Sequence, residues 1–169
     1  MDRRNALKNI GKGLGTITLT PSILNLFQSC QNSTTLNSVF FNNEQFLVVS
    51  KLMEIIIPET ETPGAISLKL PEFIDAYIYN VIDEDNISSN KILKDGLNKF
   101  IDLVKSETTK QETNEISIKE WEDRLRKVLV SESKKDKTTI AIQDLRKLTV
   151  GAYKINEFVG ENLMAYNPV

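Results

Sequence analysis

Three consecutive isoleucines, Ile55, Ile56 and Ile57, run into Pro58, and a helix that reaches that point cannot pass through it. Proline has no N–H to donate and pushes the residue before it out of the α region. Residues 59–64 then supply threonines, acids and a Pro63-Gly64 pair, which read as a turn-rich loop. The chain restarts at Pro71, a residue favoured in the first helical turn because its missing N–H would be unpaired there anyway. One long loop therefore joins two helices. Helix–helix links typically run about 2–8 residues, so this one is either an irregular connection or a shaped surface. Pro58, Pro63 and Pro71 each fix φ and so lower the entropy lost on ordering. Gly64 suits a turn that other residues would strain, and Thr60 and Thr62 can pair their hydroxyls with nearby backbone. These six residues form a candidate partner-binding loop.

The rest of the chain reads as helices. Asn42 and Gln45 have capping-box spacing, and Phe41 and Phe46 are placed for a hydrophobic staple. Phe46, Val49, Leu52, Met53 and Ile56 then recur at steps of three and four, which turns one face to a core. A second helix over 71–85 carries a broad apolar face of Phe73, Ile74, Tyr77, Ile78, Val81 and Ile82. Its carboxyl end holds Asp83, Glu84 and Asp85, where the helix dipole disfavours negative charge. That triplet reads as a solvated helix end, with a metal site as the alternative. Ser88 or Ser89 opens a third helix to about residue 106, with Gly96 tolerable if something packs closely against it. Ser117 and Glu120 repeat the capping-box spacing and open a fourth, with Trp121, Leu125, Val128 and Leu129 inward. Residues 131–137 read as a solvated connection. A fifth helix from Thr138 presents Ile140, Ile142, Leu145, Leu148 and Ala152, and a short amphipathic piece starts at Asn156. No stretch alternates like a strand. The expectation is an all-α chain, a single compact bundle of about five to six helices over 41–169.

Composition narrows the chemistry. The chain has 169 residues, enough for one core, and a net charge of −2 with no basic stripe in its sequence, so nothing in it suggests a nucleic-acid binder. It has no histidine, so the commonest general base and metal ligand are missing. One cysteine permits neither an internal disulfide nor a thiolate cluster. Glu72 and Asp75, near the loop, are accounted for by the dipole of the helix they open. Nothing has the spacing of a phosphate cradle, a metal site or a nucleophile with its base, so no catalytic, cofactor-binding or metal residue is assigned.

The first thirty residues read as an address rather than as fold. Arg3 and Arg4 precede a mildly apolar stretch and resemble a twin-arginine export signal. Leu26-Phe27-Gln28-Ser29-Cys30 resembles a lipobox, which makes Cys30 the expected lipid attachment site. Residues 31–40 read as a flexible tether. Cleavage before Cys30 removes four of 21 bases and one of 23 acids, leaving 17 and 22, a net −5. These features imply a periplasmic, lipid-anchored protein. Gln31, in place of an aspartate that would retain it at the inner membrane, favours the outer one.

Ile56-Ile57-Pro58, Thr60-Glu61-Thr62-Pro63-Gly64-Ala65 and Pro71-Glu72-Phe73-Ile74-Asp75 together resemble the signature of the gluconate 2-dehydrogenase subunit 3 family. Leu148-Thr149 followed by Tyr153 resembles its late motif, while 86–137 is matched only in helical pattern. The resemblance implies a small, non-catalytic subunit without a cofactor of its own. Its implied partners are a flavoprotein dehydrogenase large subunit of the glucose–methanol–choline type, which carries FAD, and often a cytochrome c subunit with haem c. An export signal on a cofactor-free chain makes most sense if it also carries a folded, flavin-loaded partner. The competing expectation is a stand-alone, lipid-anchored binding protein that holds a small ligand in the 59–70 loop.

Overall fold

Asn42 gives the bundle its first fixed point. Its side chain accepts the Gln45 N–H at 2.8 Å, and the Gln45 side chain accepts the Asn42 N–H at 3.1 Å. Two of the donors that a helix start leaves unpaired are thereby satisfied reciprocally. The computed structural model describes residues 38–81, 87–130 and 136–164. Residues 1–30, which read as an export signal, residues 31–37 of the expected tether, the acidic triplet at 83–85, residues 131–135 of the expected connection and the last five residues lie outside them.

Five α-helices follow one another: α1 (Asn43–Ile56), α2 (Leu70–Val81), α3 (Ile87–Thr108), α4 (Ile118–Val130) and α5 (Lys137–Ile155). A short π-helical segment, Val159–Leu163, closes the described chain, and no strand occurs among the described residues. The expected all-α bundle is what forms. Ser117 and Glu120 also pair as expected: Glu120 accepts the Ser117 N–H at 2.7 Å, and Ser117 Oγ accepts the Glu120 N–H at 3.3 Å. The Lys110 ammonium, 2.6 Å away, and the Ser117 donors hold the Glu120 carboxyl down at about 2. α5 begins within one residue of the expected Thr138, but its cap was not anticipated: Asp136, which accepts the Thr139 N–H, lies in a stretch that reads as solvated connection.

α5 packs against all four other helices and is the centre of the fold. Its closest approach is to α3, at Gly96. A Cβ on Gly96 would sit 2.4 Å from Ala141 Cβ and 2.4 Å from the Lys137 carbonyl oxygen. The close packing that would justify a glycine in mid-helix is therefore present. Around this contact the buried set includes Leu97, Phe100, Ile142 and Leu145, with Val48, Val49, Leu52 and Met53 from α1. Trp121 is fully buried, its ring stacked on Phe100 at 6.0 Å.

α2 departs from expectation. Leu70, Ile74 and Ile78 are buried, and so is Asp75, whereas Phe73 and Tyr77 stay 45% and 38% exposed. Both stripes are apolar enough to be the inner one. The stripe with Asp75 faces inward because its carboxylate has a buried task there: it accepts the N–H groups of Val39, Phe40 and Phe41 at 2.6, 3.1 and 2.8 Å. The helix dipole is thus not the reason for Asp75. Val39 and Phe40, which read as the end of a free tether, are fastened to the bundle, and Lys94 Nζ lies 4.2 Å from the Phe40 ring centroid.

Two glycines predict opposite outcomes for one substitution. Gly96→Ala should destabilise by about 1–3 kcal/mol, because the backbone of α5 would have to move. Gly151→Ala in α5 meets nothing within 4 Å and should stabilise by up to about 1 kcal/mol through helix propensity. Denaturant unfolding of the two variants checks both signs.

Candidate functional site

The loop after α1 is built around two carboxylates. α1 ends with the Ile57 N–H bonded to the Met53 carbonyl, and Pro58 prevents another turn. Glu54, in the last turn of α1, accepts the Glu59 N–H through Oε1 and the Ile66 N–H through Oε2, both at 2.9 Å. Glu59 in turn accepts the Gly64 N–H at 3.0 Å and the Ser67 hydroxyl. One backbone bond, Ala65 N–H to the Ile57 carbonyl at 2.9 Å, closes the base of the loop. The Ser67 hydroxyl and then the Gly64 N–H hold the Glu59 carboxyl below its ordinary value.

This arrangement explains Gly64 differently from the sequence. No glycine among the described residues takes a positive φ. What Gly64 supplies is space: a Cβ there would stand 2.5 Å from Glu54 Oε1 and 2.6 Å from the Glu59 nitrogen. The left-handed residue of this loop is Lys69, at φ 54°. Leu70 N–H bonds to the Ala65 carbonyl and Lys69 N–H to the Ile66 carbonyl, the two crossing bonds of a Schellman motif, with Lys69 where glycine is usual. Ala65 and Leu70, its apolar pair, are both buried.

Of the six candidate residues, Pro58 and Thr60 are exposed, Thr62 and Pro63 half-buried, and Gly64 and Pro71 buried. Thr60 uses its backbone and side chain locally, donating its N–H to the Thr62 carbonyl at 3.0 Å while Oγ1 accepts the Thr62 N–H at 3.4 Å. The exposed tip is thus carried on a self-bonded support. Glu54 and Glu59 direct their oxygens to the loop's own donors, which suits a scaffold better than a ligand cradle.

Beside the loop lies an open groove of about 500 Å³, where Leu68, Lys69, Glu72 and Phe73 face Ala152, Ile155 and Glu157. Phe73 stacks on Tyr77 at 6.0 Å with 20° between the rings, and Ile155 is 72% exposed. The late motif borders the same place. Thr149 is buried with its hydroxyl bonded to the Leu145 carbonyl at 2.7 Å, one turn before Ala152. Among the described residues no group of three or more Asp, Glu, His or Cys could hold a metal ion. The acidic triplet at 83–85 lies outside them.

The family model described as gluconate 2-dehydrogenase subunit 3 matches residues 43–169. The chain belongs to that family. No curated protein and no solved structure matches it. In this member of the gluconate 2-dehydrogenase subunit 3 family, the signature residues divide into three tasks. Gly64, Ala65 and Pro71 pack the loop, Asp75 holds the incoming chain, and Pro58, Thr60 and Phe73 face outward.

Removing the support should loosen the loop. Glu54→Ala leaves the Glu59 and Ile66 N–H groups without acceptors, and Gly64→Ala displaces the Glu54 carboxylate; each should cost about 1–3 kcal/mol. Because the Glu59 pKa is lowered by folding, its contribution is complete above the ordinary carboxylate range and fades as pH falls through the lowered value. Hydrogen exchange at the Gly64 amide should therefore accelerate in acid, relative to its intrinsic rate, before the helices do.

Proposed function

We propose that this chain is the small, non-catalytic subunit of a periplasmic FAD-dependent dehydrogenase of the glucose–methanol–choline type. Its work is to support export, assembly and membrane association of that flavoprotein. Family membership over residues 43–169 is the observation that carries this reading. FAD then belongs to the large subunit, and haem c to a cytochrome subunit where one is present. Arg3 and Arg4 supply the export signal and Cys30 the lipid anchor. No helix among the described residues is long and apolar enough to cross a membrane, and in this reading the lipid on Cys30 makes the attachment.

The signature loop is the surface offered to the flavoprotein. Its support is bonded before binding, so little conformational entropy remains to be lost on association. The exposed Phe73–Tyr77 pair next to it has the character of an interface anchor, since aromatic residues concentrate binding energy.

Two experiments test this reading. Replacing Arg3 and Arg4 by Lys should strand both this chain and its flavoprotein in the cytoplasm; export of the flavoprotein unaffected by that change would show that the signal serves this chain alone. Thr60→Arg with Phe73→Ser, both at exposed positions, should abolish co-purification of the flavoprotein while the thermal midpoint stays within a few degrees. An intact complex would remove the loop face from the interface.

A further inference from the structure

A second groove, of about 590 Å³, opens on another part of the bundle, between the end of α1, the second half of α4 and the middle of α5. Its floor is apolar: Ile55 and Ile56, half-buried, meet Leu125 and Leu129, and Val130 is 77% exposed. Its wall is basic. Arg126, Arg146 and Lys147 line it, against Glu122 as the acid. Arg126 bonds to Glu122 at 2.8 Å and Lys147 to Asp144 at 2.9 Å, yet both cationic side chains remain about three-quarters exposed, at 73% and 76%. Such exposed pairs hold little energy and exchange readily for other partners. Arg146 has no ion pair among the described residues.

A local excess of cations around an uncovered apolar floor stands out on a chain whose net charge is negative. Part of the excess has an internal explanation. α1 has no basic residue in its last turn, and cations near that end complement its dipole. One cation would serve that purpose, and three exposed ones line the groove, Arg126 from α4 and Arg146 and Lys147 from α5. Guanidinium groups at the edge of an apolar surface are suited to bidentate capture of carboxylates.

We infer that this groove receives an acidic amphipathic segment of the dehydrogenase flavoprotein, its apolar side chains on Ile56 and Leu129 and its carboxylates on Arg126, Arg146 and Lys147. This rests on the subunit reading above and adds a second contact to the loop face. Ile56, which lines the groove, stands two residues before Pro58, where the signature loop begins. The segment is defined by its chemistry: an apolar stripe flanked by at least two Asp or Glu.

The test is the affinity of the purified chain for the purified flavoprotein large subunit, measured at low and high salt. Arg146→Glu with Lys147→Glu should weaken binding by about tenfold or more at low salt and flatten its salt dependence. Val130→Asp, at a solvent-facing position that does not endanger folding, should weaken it as well. Lys91→Glu with Lys119→Glu makes the same change of net charge on other exposed positions and should leave affinity within about twofold. Equal affinities for all variants, with the wild-type complex formed, would overturn the groove and leave the subunit reading standing. Failure of the wild-type chain to bind the flavoprotein would overturn both. Unchanged complex but lost binding to phosphatidylglycerol vesicles in the Arg146→Glu, Lys147→Glu variant would assign the groove to a membrane surface instead.

Discussion

Backbone N–H groups outside helices must still find acceptors, and in this protein carboxylates supply them. Asp75 takes three from the segment before α1, Glu54 takes two from the loop after it, and Glu59 takes one more together with a hydroxyl. The placement of α2 depends on this set. Its amino end is fixed by the loop, its inward stripe by Asp75, and its outward stripe of Phe73 and Tyr77 is what remains.

The helical core is more conventional. α5 runs through the middle, α3 lies against it at Gly96, and the capping pairs Asn42–Gln45 and Ser117–Glu120 set where α1 and α4 begin. Close approach at a glycine and reciprocal caps are both short-range devices. They place the helices to within a residue or two, and the long loop can then be irregular without leaving α2 free.

What was legible in the sequence follows from range. The caps need residues three apart, and the stop at Pro58 needs one residue, so both could be read directly. Asp75 acts on residues 34 to 36 positions earlier, and Glu54 on Ile66, 12 positions on, and no local pattern announces such pairings. Phe73 and Tyr77 read as part of one broad apolar face with Ile74 and Ile78, and which part of it turns inward was not legible for a related reason. With two apolar stripes on α2, the choice of inner face falls to tertiary contacts that periodicity does not contain. At Gly64 the reason for glycine was read as backbone freedom but is the nearness of Glu54, and the positive φ falls on Lys69, whose identity gives no hint of it. The loop was identifiable as a candidate surface, but its division into support and exposed tip was not. Neither groove was foreseeable, because each joins helices distant in the chain.

The bond pattern at Asp75 also has a mechanical side. A pull applied through the chain ahead of Val39 meets three parallel N–H···carboxylate bonds before it reaches the cap at Asn42. The load passes sideways into α2, and through its buried Ile74 and Ile78 into the core, instead of peeling α1 from its first turn. A domain hung from its amino end would thus be held by its second helix, with the first sheltered from strain.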